Sequence, residues 1–485
     1  MQRSVSSDGT VWGSLFSPGS IAVIGANDVL GSWGSDAIRA AFQAAKANPQ
    51  RRAYAVNPTE KQIMGNPCYP TVNDIPDVVD LAIIVVRSTL VPAIMRQCVE
   101  KRVKAAVIIS AGFAETDEAG ARLEAEVVQI ARQGGIRFVG PNCIGHADLT
   151  TKVGALGVAW HTQPGPMAIL SQSGTVSAGI MGAAGANGIG ISKFVSTGNE
   201  ADLHLEDYIE FLADDPETRL IGAYVEGLRE GRRFFQLARR ITRTKPIVVI
   251  KVGATEGAGR AARSHTSALA GSDVVYSAAF QQAGVIRVDD EEGLCDTALA
   301  LLTQPLPRGN TVGILTIGGG MGVMAAEACE REGLKIATLQ SETLARLDAV
   351  LPPRWSHGNP VDMVGIKTMD EFPTIMTCLK ALVEDSHVDS VLSLVTTRNY
   401  AGDQFREVQA QTELALADLA RTARQKDKPF VVIRRVGPAP PMNSAEHPPQ
   451  GLDGRIPEYG HPRRAARVLG QLLRRRQYLD RRSAV

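Results

Sequence analysis

The sequence predicts an α/β chain of successive doubly wound parallel sheets. Short apolar runs rich in Val, Ile and Ala alternate with amphipathic helical stretches. Glycine-containing turns directly follow several of the runs. A chain of 485 residues, 44% hydrophobic and 21% charged, can also fill more than one core.

The first strands are expected at residues 21–26, 53–56, 81–86, 105–109 and 136–139, with a helix starting near Trp33, and form a domain over 1–150. The pattern repeats at 167–170, 189–194, 220–225 and 246–252, with helices such as 176–186 and 230–242, giving a second domain over 151–305. Residues 303–310 hold Pro305, Pro307 and Gly309, the composition of a linker. A third unit over 306–436 has strands at 311–316, 335–339, 390–396 and 429–434 and a long helix over 404–424. The remainder, 437–485, reads as a proline-rich loop and then an arginine-rich helix from His461, whose plain reading is a solvated face packed on its own domain.

A net charge of +1 provides no long-range field to attract nucleic acid or an anionic membrane, so neither is expected as a partner. Cys68, Cys98, Cys143, Cys295, Cys329 and Cys378 are scattered without CxxC spacing. That argues against a zinc site or a disulfide framework, and no metal site is expected. No apolar run approaches the ~18 residues of a membrane span, and the N-terminus lacks an apolar leader, so a cytoplasmic protein is expected.

Three strand-to-helix turns are rich in glycine or small hydroxyl residues. The first, with Gly25, Gly31 and Gly34, is not GxGxxG, and the second strand ends at Val56, Asn57 and Pro58 without a ribose-binding acid. A nicotinamide dinucleotide is therefore disfavoured. The second turn holds Ser171, Gln172, Ser173, Gly174 and Thr175. Its free amides suit a phosphate, although its hydroxyls can equally serve as N-caps. The third holds Gly318, Gly319 and Gly320, where a plain turn needs one glycine and close approach of an anion to the backbone accounts for three. No GxxxxGK[ST] motif occurs.

After residue 252 comes a stretch of mostly small residues displaying one imidazole, His265, beside Arg260, Arg263, Ser264 and Thr266. A lone histidine is ordinarily a surface or capping residue. In this setting it is a candidate phosphoryl carrier, because a neutral imidazole can accept a phosphoryl group and pass it on. Such a ring needs an orienting acceptor, and Glu226, at the end of the 220–225 strand, is the candidate. Its plain alternative is an exposed strand-end carboxylate.

In these motifs, over roughly residues 14–436, the chain resembles the nucleoside-diphosphate-forming acyl-CoA synthetases, relatives of succinyl-CoA synthetase and ADP-forming acetate–CoA ligase. The resemblance implies an N-terminal Rossmann-like CoA-binding domain followed by two flavodoxin-like domains. It places CoA at Gly25, Ala26, Asn57, Pro58, Val86, Asn142 and Cys143, within stretches that include Ser110 to Glu115 and Gly140 to Gly145. Cys143 is then a pocket wall, not a nucleophile. The resemblance further implies that His265 is the phosphohistidine, that Glu226 orients it, and that Ser171, Ser173, Gly174, Thr175 and Gly318 to Gly320 hold phosphate. Asn359, Pro360, Val361 and Asp362 form another family motif.

The implied reaction joins a carboxylic acid to CoA with ATP, through a phosphohistidine and an acyl phosphate, releasing ADP and phosphate, with Mg²⁺ arriving on the nucleotide. One departure is that Ser267 stands where many relatives have glycine. Another is that the 437–485 stretch is too short for an ATP-grasp module, which implies an α-type subunit served by a separate β-type chain, or a homo-oligomer. The acid is expected to be short, like acetate, or aromatic, a hydroxycinnamate such as ferulate. The alternative, a non-catalytic CoA-binding regulatory protein, would be marked by loss of His265 or Glu226, and both are present.

Overall fold

β1 (Ser20–Ile24) is buried along its whole length, as a central strand covered on both faces must be. The computed structural model describes residues 10–154, 163–255, 257, 272–363, 371–394, 406–433, 452 and 454–483. Around β1 the first sheet adds β2 (Arg52–Val56), β3 (Gln62–Ile63), β4 (Asn66–Tyr69), β5 (Leu81–Ile84), β6 (Ala105–Ile108) and β7 (Arg137–Val139). Their order is β3-β4-β2-β1-β5-β6-β7, parallel except for the β3–β4 pair. The chain builds outward from β1 to β2 and then crosses to β5, so the switch point lies at the C-terminal end of β1.

The second sheet contains β8 (His146–Asp148), β9 (Val153–Gly154), β10 (Pro164–Ser171), β11 (Ile191–Ser196), β12 (Leu220–Val225), β13 (Ile247–Lys251) and β14 (Ile286–Val288). Its order is β14-β13-β12-β10-β11-β8-β9. Here β10 is the strand flanked on both sides, by β11 and β12, and the switch point lies beyond Ser171. The short β8 and β9 form an antiparallel hairpin, and β8 runs antiparallel to β11. The chain therefore enters the second sheet just after Gly145.

The first two sheets belong to one compact unit, which ends at Leu294. One apolar cluster runs through both, from Val23 and Ile83 to Leu170, Val195 and Ile221. The helix Val11–Phe16 helps to join them. Trp12 stacks on Phe211 with ring centroids 4.7 Å apart, and Phe16 stacks on Phe211 at 5.1 Å. Phe16 also meets the edge of His146 at 5.4 Å, and the His146 Nε2–H donates to the Leu15 carbonyl at 2.6 Å.

The second unit begins at Cys295. Its sheet is parallel throughout: β15 (Thr311–Thr316), β16 (Lys335–Ile336), β17 (Val361–Asp362), β18 (Ser390–Ser393), β19 (Phe430–Ile433) and β20 (Glu458–Tyr459). The order is β16-β15-β18-β19-β20, with β17 also on β15. The helix Pro462–Ser483 buries Ala465, Leu469 and Leu472 in a core shared with Ile314 and Val431, and the Arg464 guanidinium pairs with Asp296 at 2.7 Å. The arginine-rich terminus is thus a packed helix with a charged outer face.

Candidate functional site

The first two turns singled out in the sequence leave the central strand of their own sheet and the third leaves β15, next to the edge strand β16, each at the strand's C-terminal end, where α/β sheets open a crevice. In the first sheet, Gly25 has φ +92°, and a Cβ there would lie 2.1 Å from the Val85 carbonyl oxygen. A Cβ on Gly34 would lie 2.2 Å from the Gly25 carbonyl oxygen. Both glycines are therefore required to seat the turn against β5 and against the helix Trp33–Ala47.

Polar contacts then run across this sheet edge. The Asn57 amide donates to the Ala26 carbonyl at 2.9 Å, beside Pro58. The Ser110 hydroxyl donates to the Val86 carbonyl at 2.6 Å, and the Asn142 N–H donates to the Ser110 carbonyl at 2.9 Å. Gly25, Ala26, Asn57, Pro58, Val86, Asn142 and Cys143 thus border one edge. Cys143 is buried, its thiol donating to the Ile108 carbonyl at 3.4 Å, and burial pushes its pKa up to about 12. A thiol so held is a poor nucleophile.

In the second sheet, Ser173 caps the helix Gly174–Ala186 by accepting from the Val176 N–H at 3.4 Å. The Ser171 hydroxyl donates to the Ser173 carbonyl at 2.6 Å, fixing the turn. The capping role left open by the sequence is therefore real, and it coexists with first-turn amides at Gly174 and the exposed Thr175, positions that have no partner within the helix itself. A Cβ on Gly174 would meet Ile144 Cγ2 at 2.9 Å, so packing alone requires this glycine.

Glu226 is 8% exposed, and two neighbouring strands hold its turn. From β10, Gln172 Oε1 accepts from the Glu226 N–H at 2.6 Å and the Gly227 N–H at 3.1 Å, while its amide donates to the Gly227 carbonyl at 2.8 Å. From β13, Lys251 Nζ donates to the Glu226 carbonyl at 2.9 Å. Burial, then the charge of Arg287, lowers the Lys251 pKa. Burial and then the Glu226 carboxylate push the Tyr224 phenol up to about 12.

His265, with Arg260, Arg263, Ser264 and Thr266, lies outside the described residues. The chain carrying it leaves β13 at Lys251, the residue bonded to Glu226, and re-enters the described structure at Ser272.

Several polar residues at this site had no assigned role in the sequence. Asn199 donates to Glu124 at 2.8 Å and to Glu115, accepts from Asn142 at 3.2 Å, and its carbonyl accepts from Arg229 at 2.8 Å. Glu200, next along the turn after β11, is 2% exposed. Gln172 stood in a quoted motif, but nothing in its spacing indicated that it grips the neighbouring strand's turn.

In the second unit, Gly318 caps the helix Gly319–Arg331. Its φ of −171° is ordinary extended backbone, and neither Gly318 nor Gly320 would bring a Cβ within 4 Å of another atom among the described residues. Neither packing nor backbone conformation demands glycine at those two positions among the described residues. A Cβ on Gly319 would lie 3.3 Å from the Asp362 carboxylate. Asn359, by contrast, is structural: it bonds Val312, Ile314 and Ala337 and ties β15 to the end of β16.

Residues 19–148 match the CoA binding domain family, and residues 164–301 match the succinyl-CoA ligase like flavodoxin domain family. The chain is 40% identical over 388 residues to the Acetate–CoA ligase [ADP-forming] II subunit alpha of Pyrococcus furiosus, covering 80% of this chain and 83% of that one. It is 42% identical over 382 residues to the Acetate–CoA ligase [ADP-forming] I of Archaeoglobus fulgidus, covering 79% of this chain but 54% of that relative, about half its length. A trans-feruloyl-CoA synthase from an unknown prokaryotic organism is 34% identical over 389 residues, 79% of this chain and 54% of the relative. Among solved structures, the acetyl-coenzyme A synthetase 1 of Ca. Korarchaeum cryptofilum, in complex with phosphate and ADP, aligns with a TM-score of 0.82 at 31% identity. The alignment covers 99% of this chain and 100% of that one.

Proposed function

The chain belongs to the ADP-forming acetate–CoA ligase family, and from that membership we propose that it joins a small carboxylic acid to CoA through a phosphoryl group carried on His265. It is an ADP-forming acid–thiol ligase, with CoA and ATP as substrates. In the proposed cycle the γ-phosphoryl of ATP, with Mg²⁺ on the nucleotide, passes to His265 with release of ADP. The carboxylate then takes the phosphoryl group to form an acyl phosphate, and the CoA thiol displaces phosphate from it. Each transfer is mainly positioning and charge stabilisation.

The observation that carries this reading is the grip on Glu226. Its turn is bonded both to Gln172 of the phosphate-turn motif and to Lys251, where the His265 segment departs. With its backbone held there, Glu226 is suited to orient one ring nitrogen through its carboxylate and leave the other to accept phosphorus. The amides at Gly174 and Thr175, and those behind Gly318, Gly319 and Gly320, are proposed phosphate holders. Gly25, Ala26, Asn57, Pro58, Val86, Asn142 and Cys143 are the proposed border of the CoA site.

The relative that is an alpha subunit, together with the longer chains of which this one spans about half, supports a separate ATP-grasp partner for nucleotide binding. Acetate is the first acid to try, and the feruloyl-CoA relative supports a hydroxycinnamate as the second.

The test uses acetyl-CoA and labelled phosphate. The wild type should acquire acid-labile, base-stable label, His265→Ala none, and Glu226→Gln label at a rate at least about 100-fold lower, the usual scale for loss of an acid–base partner. Undiminished label in His265→Ala would sink the assignment.

A further inference from the structure

The chain stretch that leaves β13 and returns at the helix Asp273–Ala283 has both ends tied to each other and to the Glu226 turn. Two of the side chains that do this, Arg287 and Tyr276, have no part in the proposed chemistry. Arg287 stands on β14, paired beside β13, and reaches three groups at once. Its Nη2 donates to the Lys251 carbonyl at 3.1 Å, where the stretch departs, and to the Asp273 carboxylate at 2.7 Å, where it returns. Its Nη1 donates to the Ser277 hydroxyl at 2.7 Å, one turn further along the helix.

Tyr276 joins the same helix to the Glu226 turn. The Lys251 ammonium lies over the Tyr276 ring, 4.4 Å from its centroid, while donating to the Glu226 carbonyl at 2.9 Å. The Tyr276 hydroxyl accepts from the Leu228 N–H at 3.3 Å. The contacts therefore close on themselves, from the turn to Lys251 and Tyr276, along the helix to Arg287, and back to the Lys251 carbonyl. Seating the helix does not require this, because Phe280 and Ala283 already bury its apolar face. The Arg287 and Asp273 side chains are 26% and 30% exposed, and an ion pair that open adds little to stability. What the guanidinium fork fixes is geometry.

We propose that Arg287 and Tyr276 are positioning residues of the phosphoryl-transfer site, which with Lys251 hold the exit and the return of the stretch bearing His265 in one frame with the Glu226 turn. The inference rests on the reading that His265 carries the phosphoryl group and that Glu226 orients it. Transfer needs such a frame, because a misplacement of about 1 Å can cost about 100-fold in rate. Arg287→Lys keeps the charge, but one ammonium cannot span a carbonyl, a carboxylate and a hydroxyl set apart in this way. Tyr276→Phe keeps the ring beside Lys251 and removes only the oxygen to which Leu228 donates.

The test is the initial rate of acid-labile labelling from labelled phosphate and an acyl-CoA, acetyl-CoA or feruloyl-CoA, whichever labels wild type faster, over a range of acyl-CoA concentrations. The saturated rate should fall about tenfold or more in Arg287→Lys and about threefold in Tyr276→Phe. The half-saturating acyl-CoA concentration should stay within about twofold of wild type, because the proposed CoA border lies on the first sheet. If both residues act through what they present to Glu226, their effect depends on that carboxylate. Adding Arg287→Lys to Glu226→Gln should then slow labelling by less than about a further twofold, whereas a purely structural role multiplies the two losses in full. Should Arg287→Lys melt too low to assay, Tyr276→Phe carries the same comparisons.

Variants that label at the wild-type rate, a loss confined to the half-saturating concentration, or a loss that multiplies in full with Glu226→Gln overturns the frame and leaves His265 as the carrier. A wild type that takes no acid-labile label from either acyl-CoA removes the carrier and the frame together.

Discussion

At the scale of single residues, His146 shows how strongly burial controls ionisation here. Its Nε2–H is committed to the Leu15 carbonyl, and burial lowers its pKa to about 4. The ring is thus held neutral, and its stabilising contribution is complete above the unfolded value near 6.5 and lost as pH falls toward 4. That interval corresponds to about 3 kcal/mol. His146→Gln should flatten the acid limb of a stability-against-pH curve measured by urea unfolding, and a limb unchanged in the variant would count against this account.

The candidate residues divide by how local their signals are. Glu226 and the glycine turns were legible because a strand end and a strand-to-helix turn are features of consecutive residues. Gln172, Asn199 and Arg229 were not, because their roles come from the convergence of β10, β11 and β12. No spacing in the sequence encodes which strands are neighbours.

At the scale of elements, the long buried strands were legible for a related reason: β5 and β6 are buried at every position, so their sequences are unbroken apolar runs. The runs overshoot where a turn intervenes, as at β1, which stops before Gly25. The pairs β3–β4 and β8–β9 escaped notice because they are two to four residues long, and β4 and β8 carry polar or proline residues. Their strand character depends on a partner already in place.

The glycines give a paired prediction at this scale. Gly25→Ala places a Cβ 2.1 Å from a backbone oxygen in a left-handed residue, and should cost about 1–3 kcal/mol or more of stability, read as a fall in the denaturation midpoint. Gly320→Ala meets nothing within 4 Å among the described residues and adds helix propensity, so stability should hold or rise by up to about 1 kcal/mol. Its labelling by phosphate should nevertheless fall at least tenfold. A Gly320→Ala protein with full labelling would remove the anion from that helix start.

At the scale of the whole molecule, the parallel sheets were legible from the alternation of elements, while the entry of residues 146–154 into the second sheet was not. A β-hairpin carries no mark of which sheet it will extend. Membership of a family with longer single-chain relatives gives a prediction of its own. The chain by itself should take label from acetyl-CoA and phosphate but not from labelled ATP. Adding an ATP-grasp partner should restore transfer from ATP, measured by the same acid-labile label. Efficient self-labelling from ATP by the purified chain would show that no partner is needed.

The contact between Gly174 and Ile144 couples two parts of the proposed site. Ile144 follows Asn142 and Cys143 on the loop bordering the proposed CoA edge, and it is the side chain against which the phosphate turn is packed. The loop bordering the proposed CoA edge and the proposed phosphate turn therefore share a party wall one side chain thick. Close-packed atoms there behave as a fixed spacer, so the two segments cannot be eased apart independently. A larger side chain at Ile144 would press on the turn at Gly174, so a change made on one side of this spacer is felt on the other.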